Sequence, residues 1–197
     1  MPETSFHIET CGGIRLLRLE SEDGTNRLTS RCIASLAETL CELGHVHEGL
    51  IITGNGRFFS AGAELSEVAA LSGPIAHEFA KLGQALMTAI AGFSAPVYAA
   101  ISGYCMGGGL DLALACHRRI AAPHTVFGHR GAALGLITGW GGTQRLPRLI
   151  GKSQALAMFA AAEKIDAGNA LRLGLIDAIA EDPVAESIRR LQGPVQR

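Results

Sequence analysis

The chain has 197 residues and a formal net charge of -1, with 17 Lys and Arg against 18 Asp and Glu. That length suits one domain with its own core, and the lack of basic runs excludes a nucleic-acid footprint or a charged membrane-binding face, leaving small ligands held by a local site. The five cysteines, Cys11, Cys32, Cys41, Cys105 and Cys116, are odd in number and without C-x-x-C spacing, which argues against a disulfide framework or a structural zinc and suits a reducing cytoplasm.

No apolar signal segment opens the chain. Ile14 to Leu19 alternates as a strand and is ended by the polar turn Ser21 to Asn26. Thr29 or Ser30 caps a helix running to about Leu43, with Ile33, Leu36, Ala37 and Leu40 on one face. Gly49 to Gly54 reads as a strand buried on both faces. A loop from Asn55 to Ala63, a polar bridge and a helix from about Ile75 to Ile90 follow. Pro96 opens a second buried strand, Val97 to Ile101. Gly103 to Gly109 is a second glycine-rich loop, and Leu110 to Cys116 is the helix leaving it.

Short strands are predicted at His117 to Ile120 and Thr125 to Gly128, so strands outnumber helices two to one, a ββα repeat instead of a plain βαβ sheet. Helices then follow at Gln144–Ile150, Gln154–Ala162, Ala167–Leu173 and Ala185–Leu191. The uncharged stretch from Ala85 to Leu110 is long enough to raise the question of a membrane span. Gly92, Ser94, Pro96, Gly103 and Gly107-Gly108-Gly109 cut it into the short pieces of a buried core.

Two segments share one logic, a buried strand that ends in glycines and feeds a helix: Ser60-Ala61-Gly62-Ala63-Glu64-Leu65 and Gly103 to Asp111. Backbone N–H groups at such turns lack partners, and two that converge can bind a developing oxyanion. A lone glycine cluster is more simply explained by close helix–strand packing. His45-Val46-His47 offers two imidazoles without a third ligand, so no metal site is expected there.

Taken together, Ile52-Thr53-Gly54, Phe59 to Leu65, Gly103 to Ala113 and Gly139-Trp140-Gly141-Gly142-Thr143-Gln144-Arg145-Leu146 resemble the signature segments of the crotonase (enoyl-CoA hydratase/isomerase) superfamily. The resemblance covers roughly Ile14 to Ile179. It implies an α/β fold, a crotonase-like spiral of ββα units over about residues 1–135 with a shortened helical part over about 139–197, all in one domain. It also implies a trimer or a hexamer of trimers.

The resemblance further implies an acyl-CoA substrate with coenzyme A entering as part of it, no cofactor of the protein's own, and neither nucleic acid nor membrane as partner. The positions matching the family's oxyanion hole are Ala63 and Gly108, with Ser60, Ala61, Leu65, Gly107, Gly131, Gly139 and Trp140 as further substrate-binding positions. Of the hydratases' two glutamates, one falls on Asp111 and the other on Gly131. A carboxylate in a helix's first turn is also a favourable partner for the helix dipole, so Asp111 carries both readings. His129 reads as an ordinary loop residue and Glu64 as a helix-start carboxylate. The expectation is an acyl-CoA enzyme of fatty acid metabolism, a lyase or isomerase working through an enolate. A silent acyl-CoA binder and a crotonase-type decarboxylase or thioester hydrolase are the alternatives.

Overall fold

The structure is a computed structural model and describes residues 3–44 and 48–193; the His45-Val46-His47 segment lies outside them. Strands β1 (Thr4–Cys11) and β2 (Ile14–Ser21) form an antiparallel hairpin. Gly12 and Gly13 turn it, both with positive φ, as a two-residue hairpin turn of this hand requires. After β3 (Arg27–Leu28), helix α1 (Ser30–Leu43) is capped by Thr29, whose hydroxyl accepts from the Cys32 amide. Then come β4 (Leu50–Thr53), β5 (Phe58–Ser60), β6 (Gly62–Ala63), α2 (Leu65–Ala69) and α3 (Gly73–Ala91). The next units are β7 (Val97–Ile101), β8 (Tyr104–Met106) and α4 (Gly108–Ala115), then β9 (Arg118–Ala121), β10 (Val126–Gly128), a 3-10 turn at Arg130–Leu134 and α5 (Gly142–Ile150). The remainder is α6 (Lys152–Ala160), β11 (Lys164–Asp166), α7 (Ala167–Leu173), β12 (Ala178–Ile179) and α8 (Pro183–Gln192).

Each ββα unit sends its first strand to one sheet and its second to another. The six-stranded sheet runs β1-β2-β4-β7-β9-β12 and the four-stranded sheet β11-β10-β8-β5. Within them β4, β7 and β9 pair in parallel, as do β5, β8 and β10. This is the spiral of ββα units anticipated from the sequence.

All four residues of β4 are buried, as expected of a strand covered on both faces. Leu50 and Ile52 join the main core with Leu36, Leu40, Leu86 and Ile90 of α1 and α3. Ile51 points the other way, into a smaller cluster with Leu16 and Ala100, covered by Val184, Ile188 and Leu191 of α8. Alternation along a strand sends neighbours to opposite sides, so a run of apolar residues needs helices on both. Arg119 ties the last segment down. Its buried side chain donates to the carbonyls of Leu175 and Cys116, and Asp177 accepts from its backbone amide at 2.8 Å.

Several expectations need correction. The stretch 55–63 is not a plain loop, since it holds β5 and β6, and the 103–109 loop contains β8. These strands are two or three residues long, too short for periodicity to register, and they exist by pairing: β5 with β8, β8 also with β10, and β6 with β3. The C-terminal part is not purely helical: β11 and β12 add to the edges of the two sheets. Hairpin strand β1 was missed because it is an edge strand, half exposed, whose apolar face is as short as Phe6 and Ile8, partly buried against the core. Among the described residues no helix is long and apolar enough to cross a membrane.

Two predictions follow from packing. Gly103 has φ +64°, and a Cβ there would overlap the Arg57 carbonyl of the chain crossing beside it. Gly103→Ala should therefore lower unfolding stability by at least about 2 kcal/mol in urea denaturation. All five cysteines are free, and burial pushes the Cys32 and Cys116 thiols up to about 12. Since the thiolate is the reactive form, iodoacetamide on native protein should label exposed Cys41 and leave Cys32, Cys105 and Cys116 unmodified until denaturant is added, as read by mass spectrometry.

Candidate active site

The two glycine turns meet backbone to backbone. Gly62 (φ +100°) and Gly107 (φ +52°) adopt the left-handed region that glycine alone enters without strain. A Cβ on Gly62 would stand 2.7 Å from the Met106 carbonyl oxygen and 3.0 Å from the Gly108 nitrogen. One on Gly108 would stand 3.3 Å from the Ala63 nitrogen. The Gly108 amide is the first of α4, so no carbonyl one turn earlier is there to accept from it. Both turns open onto one cavity of about 580 Å³.

The expected positions divide. Ala61, Ala63, Leu65, Gly107, Gly108, Asp111, Gly131, Gly139 and Trp140 all line this cavity. Ser60 does not, and its expected place against substrate is corrected. Its side chain is wholly buried beneath the turn, its hydroxyl donating to the Asn26 carbonyl at 2.7 Å and accepting from the Gly62 amide at 3.1 Å. Asn26, itself buried, donates to the carbonyls of Phe58 and Phe59 and holds the turn from the other side. Glu64 caps α2 by accepting from the Ser66 amide, which holds its carboxyl below the usual range, in keeping with its reading as a helix-start carboxylate.

Helix α4 is buried along its whole length, and Asp111 is its one ionisable residue, 2 % exposed. One turn beyond Gly108, it reaches the cavity wall. Thr138 donates to its Oδ2 through a short hydrogen bond. Its Oδ1 packs on Gly142 at the start of α5, where a Cβ would overlap it. Nε2 of His129 lies 3.9 Å from Oδ2.

His129 is the residue that sequence reasoning undervalued. Far from being an ordinary loop residue, it is 6 % exposed, lines the cavity, and sets its ring edge-on to Phe159 of α6 with centroids 5.3 Å apart. Its position directly after the buried strand β10 is the signal that could have found it. Thr138 offered none, because its partner lies 27 residues away in sequence.

At Gly131 the backbone leaves no room for a side chain. A Cβ would stand 2.8 Å from the Leu136 carbonyl oxygen, and the Leu136 amide donates back to Gly131 at 2.9 Å. The second carboxylate position is thus closed by a tight turn.

Trp140 is 4 % exposed, part of the core and also at the cavity wall. Its indole fills the space left by missing side chains, since a Cβ on Gly83 of α3 or Gly108 of α4 would overlap it. Phe79 packs against it at 5.3 Å between ring centroids. The segment is pinned by Gln84, which donates to the Gly139 carbonyl at 2.8 Å, and by Arg145, which donates to the carbonyls of Trp140 and Met87. Val68, Leu71, Phe79, Leu134 and Ile137 add apolar surface to the cavity lining. Among the described residues, no three His, Cys, Asp or Glu side chains gather to hold a metal ion.

Comparison with known proteins places this geometry. The family described as Enoyl-CoA hydratase/isomerase matches residues 9–192. The chain is 44 % identical over 160 residues, 80 % of its length, to a "Probable enoyl-CoA hydratase" of Bacillus subtilis strain 168. It is 39 % identical over 150 residues, 75 % of its length, to a crotonyl-CoA hydratase of Syntrophomonas wolfei. The matches cover 62 % and 58 % of those two relatives, so the chain spans about three-fifths of their length. The crystal structure of an enoyl-CoA hydratase from Bacillus anthracis superimposes with a TM-score of 0.89 at 29 % identity, covering 95 % of this chain and 75 % of that one. A sheet spiral with these two glycine turns, matched by the family along nearly its whole length, leaves one assignment: the chain belongs to the enoyl-CoA hydratase/isomerase family.

Proposed function

We propose that this chain binds an acyl-CoA thioester in the cavity and acts on it through a bound enolate, in a reaction of the hydratase/isomerase type. The observation that supports the reading is that Ala63 and Gly108, close to one another through their backbones, both line the cavity, with Asp111 one helical turn further on. A thioester oxygen resting between the two amides accepts a hydrogen bond from each. As the double-bond electrons move onto that oxygen, the bonds strengthen; a preorganised donor of this kind contributes about 3 kcal/mol to the transition state. The apolar lining of Val68, Leu71 and Phe79 suits the acyl chain, and the hydratase names of the relatives support the substrate class.

Asp111 is the group placed to move the proton. Its carboxylate oxygens accept a proton from water attacking the β-carbon, or from a carbon beside the thioester, and return one to the enolate. Thr138 fixes the rotamer by its bond to Oδ2, so the proton-carrying atom stays at a set distance from the oxyanion amides.

The test is incubation with crotonyl-CoA and longer enoyl-CoAs in D2O, following loss of the conjugated thioester absorbance and deuterium uptake. Asp111→Asn should cut turnover about 100-fold or more while binding is retained. Binding is read separately by quenching of Trp140, the only tryptophan in the chain. Quenching by acyl-CoA without absorbance loss or deuterium uptake would overturn the enzymatic reading in favour of a thioester-binding protein.

A further inference from the structure

The Asp111 and His129 pair contains an unresolved contradiction. Both side chains are withdrawn from water, 2 % and 8 % exposed. Asp111 Oδ1 and His129 Nε2 are fully buried and have no hydrogen-bond partner. Leaving such atoms unpaired costs about 1–3 kcal/mol each. The oxygen that faces Nε2 is Oδ2, which also accepts from Thr138; with the imidazole proton on Nδ1, Nε2 is itself an acceptor and cannot bond it. A proton taken up during the reaction links the two, whichever partner carries it, because either form places a donor opposite an acceptor across the gap between Nε2 and Oδ2. The gap of 3.9 Å closes to bonding distance with a movement of about 1 Å.

We propose that His129 is a positioning and proton-storing partner of Asp111, the two sharing one exchangeable proton. The pair takes the place of a second carboxylate that the backbone at Gly131 cannot carry. This inference rests on the reading of the cavity as a thioester site. His129 acts through Asp111, since its Nε2 faces the carboxylate and is closed to solvent.

In a hydration, one O–H bond of water breaks and its proton passes to the Asp111 carboxylate. The oxygen bonds to the β-carbon, and the double-bond electrons move onto the thioester oxygen. The proton moves from Asp111 to Nε2 of His129, leaving the carboxylate ionised beside an imidazolium while the enolate is held. It then returns through Asp111 to the α-carbon as the enolate electrons fall back. One water is consumed and both side chains end as they began.

The surroundings of the pair suit this role. Phe159 of α6 packs on the imidazole without adding charge. Arg130 stands next in the chain, itself at the cavity wall. Behind Asp111 lies the Cys105 thiol, pushed well up by burial first and by neighbouring negative charge second, so it remains a neutral neighbour. Thr138 occupies Asp111 Oδ2 from the third side.

Two measurements on the full chain test the pair. In protein labelled with 15N at histidine, the His129 ring nitrogen resonances report protonation and tautomer without any turnover; they should move on Asp111→Asn at constant pH. His129→Gln keeps a hydrogen-bonding side chain but cannot exchange a proton. It should lower kcat about 100-fold and flatten the pH dependence of kcat/KM through the range where imidazoles titrate, while acyl-CoA still quenches Trp140 as in the wild type. Ring resonances indifferent to Asp111→Asn, or a His129→Gln enzyme with the wild-type rate and pH profile, would overturn the proposal. Resonances that respond in a protein that turns over no thioester would uphold the proton-sharing pair and overturn the reaction assigned to the cavity.

Discussion

The site depends on two turns of chain touching through their backbones. A Cβ at Gly62 would press on the Met106 carbonyl and the Gly108 amide, and one at Gly108 on the Trp140 ring and the Ala63 amide, while Gly107 answers to its positive φ. Only with no side chain at Gly62 and Gly108 can the two turns lie this close. The demand spreads outward. With no side chain at Gly83 or Gly108, α3 and α4 leave a slot that the Trp140 indole fills, and Trp140 in turn brings the 138–140 segment, with Thr138, against Asp111. Glycine here is a packing requirement more than a source of flexibility.

A second constraint is chemical. An ionisable residue in a helix buried on every side costs several kcal/mol unless its charge finds partners. Asp111 has one hydrogen bond, from Thr138, and an imidazole held just out of contact. A protein selected for stability alone would place a leucine or alanine there, as it does at Leu110, Leu112 and Ala113 on either side. The cost is offset by something other than packing, and buried, poorly satisfied carboxylates in a cavity wall are where proton chemistry is found.

Much of the architecture was legible along the chain because it rests on local pattern. Helix α1 showed its cap and its apolar face, and β4 and β7 showed continuous apolar runs between breakers. Their burial on both faces required helices above and below, and α8 closes the far side of β4 with Val184, Ile188 and Leu191. Two of the units' second strands, β5 and β8, were invisible for the opposite reason, whereas β10 was legible as Thr125 to Gly128. A three-residue segment such as Tyr104–Met106 has no period of its own and becomes a strand only by lying between β5 and β10.

The same division holds at the site. The order and spacing of the glycine segments, with Asp111 three residues after Gly108, were written in the chain, because a turn entering a helix is a local event and the helix carries the carboxylate to a set place. Ser60, His129 and Thr138 were decided by tertiary structure alone. Ser60 sits in the right motif, yet it faces Asn26 in the interior and not the cavity. His129 and Thr138 lie 18 and 27 residues from the carboxylate they face; the place of His129 just after β10 marks it as a candidate, but no local pattern records that either will be folded against Asp111. Sequence by itself determined the two glycine turns and the one carboxylate beside them; only the closing of the chain over α4 decided what that carboxylate would meet, because such contacts depend on the packing of segments distant along the chain.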